Sequence, residues 1–253
     1  MRTARRILLP PFLIAALIGA WQIAAANGTI ADAFNLEPIL VPSPAEIGSA
    51  LWENRTLLWD NTWVTLREIL IGLAAGALAG VLLALPMRFS SLLRDAFFPL
   101  AVATQAIPIV AIGPILVVWF GFGIWPKVLL VGLAVFFPLL VNTLDGLRSV
   151  DPEAVKMMRT LDASRWAIFR RVEMPSALPS FFSGLKITAA ITPIVALIAE
   201  LVGSSSGLGR QIINDNANLE TARLFAAVVI LMAIGIVLFG LTALLERLLV
   251  RWR

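Results

Sequence analysis

Residues 152–179 read PEAVKMMRTLDASRWAIFRRVEMPSALP, a basic and tryptophan-bearing stretch inside a very apolar chain. Four residues of its first half fall at positions i, i+3, i+4 and i+7, which is one face of a helix: Ala154, Met157, Met158 and Leu161. Asp162 to Ser164 then predict a turn, and Ser164 is a candidate N-cap of a second helix that ends at Pro175. The stretch therefore predicts a helix-turn-helix hairpin.

The apolar stripe of such a hairpin has to be buried against something. Methionine suits an adaptable contact with the groove of a partner protein, and the arginines around it could pair with acidic groups there. Packing against the rest of the chain, or lying on anionic lipid, are the alternatives that the residues alone leave open. We expect a docking surface made of Ala154, Met157, Met158, Leu161, Asp162, Ala163, Ser164, Trp166, Phe169, Arg170 and Pro175.

The composition of the chain indicates an integral membrane protein. Of its 253 residues, 59% are hydrophobic and only 14% are charged, far from the usage of soluble domains. Cysteine, histidine and tyrosine are absent, so we expect no disulfide, no metal site and no catalytic residue. A membrane-embedded enzyme is disfavoured further because no nucleophile and base stand at helical spacing.

Six stretches are long and apolar enough to cross a membrane, which takes about 20 residues each. They lie at about 7–26, 64–86, 95–119, 125–144, 181–201 and 222–245. The first could instead be a signal peptide, because Arg2, Arg5 and Arg6 precede an apolar run that ends in AAAN. That run is longer than a signal core, so a span is preferred.

Basic residues predict the orientation of the chain in the membrane. If the amino terminus is cytoplasmic, the cytoplasmic segments are 1–6, 87–94, 146–180 and 246–253, and they hold most of the 20 lysines and arginines, including Arg253. The positive-inside rule then places both termini and the hairpin in the cytoplasm.

The segment between the first two stretches predicts a short external helix. Ser43 is a candidate N-cap, with Pro44 at the first helical position and Glu46 at the capping-box spacing. Ile47, Leu51 and Trp52 then share one face, which we interpret as an interfacial anchor rather than a contact for a partner.

Small residues and prolines mark the predicted spans. Gly72, Gly76 and Gly80 share one helix face, which favours close packing inside the chain over a seam for self-association. Pro108, Gly113 and Pro114 predict a kink or break in the third span. Irregular backbone at membrane depth is either packed or lines a pathway.

Five residues are candidates for a translocation path or gate. They are the polar residues Thr104 and Gln105 beside the break, the prolines Pro108 and Pro114, and Glu200 of the fifth span. Glu200 stands at the end of the fifth span, where it could also simply reach water. The following VGSSSGLGR is flexible by composition. No phosphate-binding loop of the form GxxxxGK[ST] occurs, so any ATP that the protein uses must bind another subunit.

Residues 152–179 resemble the EAA loop of bacterial ABC importer permeases, a cytoplasmic hairpin that inserts into the ATPase subunit. Val172, Met174 and Pro175 occupy the I-x-L-P positions, Lys156-Met157-Met158 fall at E-A-A, and Asp162 replaces the glycine. Aspartate tolerates a left-handed backbone, so the turn can survive. The wider chain resembles the nitrate/sulfonate/taurine branch in VPSP (41–44), TLREILIG (65–72), AIPIVAIGPILVVWFGFG (106–123), FFPLLVNTLDGLRSVDPE (136–153) and AELVGSSSGLG (199–209).

The resemblance implies the type I importer fold: an all-α membrane protein of six helices with a cytoplasmic coupling hairpin. It implies one permease domain over 1–253, with a core at about 60–246 and a coupling loop at about 146–180. It also implies two ATPase subunits that bind ATP and magnesium, an external binding protein, a second copy of the chain, and the bacterial inner membrane.

The same branch serves nitrate, taurine, other sulfonates, riboflavin and thiamine-pyrimidine precursors. The tail from Asn214 to Arg247 resembles the riboflavin and pyrimidine-precursor members most, which favours those substrates. A secondary transporter or channel is the alternative from another class. It would call for acids or inverted repeats at mid-membrane, and Glu200 is the main candidate for such an acid.

Overall fold

A computed structural model describes residues 2–251, and its side chains are described except for those of residues 2–8 and 10. The side chains of Arg2, Arg5 and Arg6, and residue Arg253, which enter the charge argument above, lie outside this description. The described residues form helices and turns without a strand. The α-helices are α1 Arg2–Ala26, α2 Thr29–Phe34, α3 Pro44–Glu53, α4 Arg55–Phe89, α5 Ser91–Ala106, α6 Ile109–Phe120, α7 Trp125–Arg148, α8 Pro152–Thr160, α9 Arg165–Ile168, α10 Met174–Gly203, α11 Leu208–Ala217 and α12 Thr221–Leu249.

Four helical stretches are long and apolar enough to cross a membrane by length and composition: Arg55–Phe89, Trp125–Arg148, Arg165–Gly203 and Thr221–Leu249. The pair α5 and α6 meets the same test together but is bent by 97°. Pro11–Ala26 is a shorter apolar helix. The prediction of an all-helical membrane protein is confirmed, whereas the number of six spans stays a prediction.

The bend between α5 and α6 is the predicted break of the third span, and it lies at Pro108. Ile107, the residue before this proline, has a ψ of 120° and is extended, as the proline ring requires of its neighbour. Pro114 lies inside α6 without ending it, and α6 continues to Gly121, whose φ of +74° terminates the helix. Only one of the two prolines therefore breaks the span.

The centre of the bundle is the packing of α4 on α7. Ile69 from α4 and Val131, Val135 and Leu139 from α7 are fully buried there. Gly72, Gly76 and Gly80 face α7, and a Cβ on Gly76 would come within 2.5 Å of the Gly132 carbonyl oxygen. The glycine face thus lets two helices of the same chain approach closely, and α7 occupies the surface that a seam for self-association would use.

The bundle has two ends that differ in character. The first, called the hairpin end, carries residues 152–173 together with the end of α4 at Phe89 and the end of α7 at Arg148. The second, called the loop end, carries the starts of α4, α7 and α12 and the segment 204–220 that follows α10. Because α10 runs from the first end to the second, it links them directly.

Helix α3 lies at the loop end, and its predicted capping box is confirmed. The Ser43 hydroxyl accepts from the Glu46 amide at 3.3 Å, and the Glu46 carboxylate accepts from the Ser43 amide at 2.6 Å. Ile47 and Ala50 pack in one cluster with residues of α12, and Trp52 stays exposed. The protein itself therefore covers Ile47, so its interpretation as an anchor on lipid was wrong for that residue, whereas Trp52 stays uncovered.

Candidate functional site

The predicted hairpin forms, and its turn is closed by backbone hydrogen bonds. Asp162 has a φ of +53°, the left-handed conformation expected at this position. Its amide donates to the Arg159 carbonyl at 3.1 Å, and the Ala163 amide donates to the Met158 carbonyl at 3.1 Å. These two bonds make a Schellman motif, which satisfies the last carbonyls of α8 and fixes the direction of the chain after it.

The second arm of the hairpin begins as predicted but does not end where predicted. The Ser164 hydroxyl caps α9 by accepting from the Ala167 amide at 3.2 Å. The helix then widens into a π-helical segment, Phe169–Glu173, in which the Met174 amide bonds to the Phe169 carbonyl, and continues as α10. Pro175 therefore lies inside a continuous helical stretch, directly after the π-helical segment, rather than at a helix end.

One continuous helical stretch, Arg165–Gly203, therefore runs from the hairpin to the loop end. It is 39 residues long. Helical backbone thus joins the hairpin to the loop end without a break. The π-helical segment interrupts the α-helical pattern near the hairpin, and Pro179 and Pro193 lie further along the same stretch. Segments of the π type are often found at functional sites.

The apolar face of the hairpin is uncovered. Met157, Leu161 and Trp166 are 60%, 71% and 64% exposed. Ala154, Met158 and Ala163 are half-buried beside them, and Arg170 is exposed. Packing back on the chain is therefore not what the structure shows for Met157 and Leu161 of the stripe, nor for Trp166 on the second arm.

Phe169 is the exception among the predicted docking residues, because it lies in the interior. It is only 5% exposed and packs with Leu147 and Ala177. Its ring also lies 5.3 Å from the ring of Trp166 and 5.3 Å from that of Phe89, centroid to centroid. Phe169 thus packs the base of the hairpin against α4 and α7, while Trp166 stays exposed and free to contact another protein.

An ion pair that sequence reasoning missed fixes the same base. The Arg88 guanidinium lies 2.6 Å from the Glu173 carboxylate, and the Glu173 side chain is 7% exposed. The two residues are 85 positions apart, so no spacing rule could pair them. The only signal was an acidic residue, Glu173, in the otherwise basic segment 165–173.

The candidate path residues lie along the junction of α5 and α6. Thr104 is half-buried and donates to the Ala101 carbonyl at 2.7 Å, whereas Gln105, Pro108 and Pro114 are exposed. No charged residue occurs between Asp95 and Lys127 in the sequence. The exposed face of this pair of helices is thus apolar, with amide and hydroxyl groups at the break.

Glu200 does not join those residues but lies buried at the loop end. It is fully buried; one carboxylate oxygen accepts from the Thr65 hydroxyl at 2.6 Å, and the other accepts from the Gly209 amide. The alternative in which Glu200 reaches water was therefore wrong. A buried carboxylate that holds a backbone amide ties the segment after α10 to α4.

The segment 204–209 is fixed in place, so its interpretation as flexible was also wrong. The Gly207 amide donates to Asn61 at 2.8 Å, and the Leu208 amide donates to the Thr65 hydroxyl at 2.9 Å. Gly207 has a φ of +106°, and a Cβ on it would lie 2.3 Å from the Glu200 carboxylate. The glycines of this segment thus make room for a carboxylate instead of conferring mobility.

A second buried charge pair at the loop end was not predicted. Lys127 and Glu68 are 3% and 1% exposed, and their charged groups lie 3.6 Å apart. The Lys127 ammonium also donates to the carbonyls of Phe122 and Gly123 at 3.2 and 2.9 Å. The signal was visible as charged residues within two predicted spans, since such residues usually face the interior and pair there.

A further charged cluster at the loop end consists of Asp215 and Arg223. Asp215 is fully buried and accepts from Arg223 at 2.7 Å and from Gln211 at 2.7 Å. This cluster joins α11 to the start of α12. The loop end is thus held together by side chains from five different helices.

Comparison with known proteins assigns the chain to a family. Residues 76–251 match the model of the binding-protein-dependent transport system inner membrane component. The chain is 35% identical over 254 residues to the formylaminopyrimidine transport permease protein ThiX of Halalkalibacterium halodurans, covering 100% of this chain and 99% of that protein. It is 36% identical to the riboflavin transport system permease protein RibX of Chloroflexus aurantiacus, covering 84% and 80%.

Among solved structures, the fold is similar to a chain of the MetNI methionine ABC transporter in inward-facing conformations. The TM-score is 0.67 at 16% identity, and the match covers 78% of this chain and 98% of that one. This likeness supports the type I importer fold. With the family match, it leads to one conclusion: the chain belongs to the binding-protein-dependent transport system inner membrane components and is a multi-pass permease of the ABC importer type.

Proposed function

We propose that this permease forms the translocation path of an ATP-driven importer whose ATPase subunit docks on the hairpin. The observation that carries the proposal is the uncovered apolar face of Met157, Leu161 and Trp166 on a hairpin closed by a Schellman turn. A hydrophobic face of this kind, next to exposed basic residues, is typical of a protein contact. ATP and magnesium bind the ATPase subunit, and this chain itself holds no cofactor.

The assembly proposed contains two copies of the permease, two ATPase subunits and an external binding protein. The whole chain, residues 1–253, is one permease domain with both termini in the cytoplasm, so that the hairpin meets the ATPase and the loop end faces outward. The family supports the ATPase and the binding protein as partners. The basic residues of the hairpin support its cytoplasmic position.

Closure of the two ATPase subunits on ATP would displace the hairpins, and each displacement would pass along Arg165–Gly203 to the loop end. The path would then change from open inward to open outward, and hydrolysis would reset it. Such a change is a shift of population between two states, driven by the difference in docking contacts that each state offers.

A small, largely neutral heterocycle is the solute we propose, of the kind transported by the formylaminopyrimidine or riboflavin relatives. The relatives at 35% and 36% identity support this class. The uncharged stretch from 96 to 126, with Thr104 and Gln105 at the break, supports it as well, because an anion would call for a cationic group in the path. Sulfonates, taurine and nitrate come next.

Purification of the tagged chain from its native membrane tests the proposal. The wild-type chain should bring down a stoichiometric ATPase, identified by mass spectrometry. The double variant Met157→Asp, Leu161→Asp should lose that ATPase while remaining monodisperse, because it places charge in an apolar contact. Leu219→Asp is the matched control, since Leu219 is 56% exposed at the loop end.

If the double variant keeps the ATPase, the hairpin is not the docking site. If even the wild-type chain carries no ATPase in any detergent or nucleotide condition, a transporter without an ATPase becomes the better explanation. The solute is then tested separately, by uptake of labelled formylaminopyrimidine, riboflavin and taurine into cells that express the complete system.

A further inference from the structure

A small cavity opens in the angle between the two arms of the hairpin and the end of α4. Its volume is about 190 Å³. Three arginines and one glutamate line it: Arg88, Arg159, Arg165 and Glu173. Side chains from α8, α9, the π-helical segment and α4 therefore meet at one point, although they come from separate parts of the sequence.

The charges in this cavity do not balance. Glu173 neutralises Arg88 at 2.6 Å, and among the described residues no carboxylate forms an ion pair with Arg159 or Arg165. Both of these arginines are exposed at the mouth. The cavity thus presents two uncompensated positive charges above a neutral pair.

The floor of the cavity is also unsaturated. Within the described residues, the Arg88 Nε and one oxygen of Glu173 are buried without a hydrogen-bond partner. Buried polar atoms of this kind are rare in a finished interface, because each unmade hydrogen bond costs free energy. The floor of the cavity thus keeps one donor and one acceptor unpaired within the described residues.

The walls of the cavity strengthen any charge interaction inside it. Val155, Ile168 and Phe89 line it beside the charged groups, and Ile168 is buried. Apolar walls lower the local dielectric constant, so an anion held there interacts more strongly with arginine than it would in water. The arginine fork also fits a carboxylate with two parallel hydrogen bonds.

We propose that this cavity seats the carboxylate of an aspartate or glutamate from the ATPase subunit, held between Arg159 and Arg165. The inference rests on the proposed function, because it presupposes that the ATPase covers the hairpin. Exposed Met157 lies on the same helix as Arg159, and exposed Trp166 on the same helix as Arg165, so a protein that docks on these two short helices lies next to the cavity. The small volume suits one acidic side chain.

The test compares two double charge reversals on the same hairpin. Arg159→Glu with Arg165→Glu changes the cavity, and Lys156→Glu with Arg171→Glu makes the same change of charge at exposed positions that do not line it. The dissociation constant for the ATPase that co-purifies with the wild-type chain is measured for both in detergent. The cavity variant should bind at least about 100-fold more weakly, and the control within about 3-fold of wild type, because a buried charge contact is worth more than one at the rim.

A milder pair, Arg159→Gln with Arg165→Gln, covers the case in which charge reversal prevents folding, and it should still weaken binding about 10-fold or more. Equal losses in the cavity variant and the control would overturn the inference in favour of a diffuse basic surface, such as one that attracts anionic lipid. Unchanged binding in both cavity variants would overturn it while leaving the proposed function intact. A wild-type chain that binds no ATPase would overturn both.

Discussion

The two ends of the bundle differ in how their most conspicuous charged side chains are partnered. At the loop end, Glu200, Glu68 and Lys127 are buried and partnered within the chain. At the hairpin end, Arg159 and Arg165 are exposed beside uncovered apolar side chains. The loop end therefore pairs its buried charges within the chain, whereas the hairpin end leaves two arginines and several apolar side chains exposed, as expected of a surface that a second protein covers.

The largest effect is expected when one charge is removed at the loop end, which tests whether the buried charges there stabilise the protein as a pair. Lys127→Met leaves Glu68 buried without its cation, and breaking a buried pair in this way typically costs about 3 kcal/mol or more. The apparent Tm of the purified protein in detergent should fall by roughly 6 to 12 °C, as expected for a chain of this size.

The double variant Glu68→Met, Lys127→Met is the control for that experiment. Replacing both members of a buried pair by apolar residues of similar size is often neutral, so most of the lost Tm should return. A double variant no more stable than Lys127→Met would mean that the stability lost in Lys127→Met does not come from the unpaired Glu68 charge, and the loop end would then not be a paired network.

Adding a methyl group at Gly207 should have the next largest effect. Gly207→Ala puts a Cβ on a residue with a φ of +106° and against the Glu200 carboxylate, so we expect a loss of about 2 kcal/mol or more and a lower Tm. Gly121→Ala is the matched control, because Gly121 has a φ of +74° and nothing within 4 Å of the added atom. Equal losses in the two variants would show that backbone strain alone matters and that Glu200 is not the reason for this glycine.

The same contrast explains how much could be predicted from the sequence. The hairpin is encoded within 28 consecutive residues, so helical periodicity, the Ser164 cap and the left-handed Asp162 could be recognised locally. The contacts of Glu200 with Thr65 and of Lys127 with Glu68 join residues from separate helices, and no local pattern encodes them. Pro175 misled for a related reason, since a local rule about proline could not anticipate the π-helical segment before it.

The smallest effect is expected at Asp162. This residue has a positive φ, as Gly207 does, but it is exposed, and no buried carboxylate limits the size of its side chain. Asp162 adopts a φ of +53° and is exposed, so glycine should serve there at least as well. A left-handed conformation costs most L-residues about 1–2 kcal/mol, and this cost is lower for aspartate than for most other residues. Asp162→Gly should therefore change the free energy of unfolding by under about 1 kcal/mol, and uptake of the transported solute should stay at or slightly above the wild-type rate. A large loss of uptake with unchanged stability would show instead that the carboxylate of Asp162 makes a contact of its own with the ATPase, and the hairpin end would then depend on an acidic group as well as on its arginines.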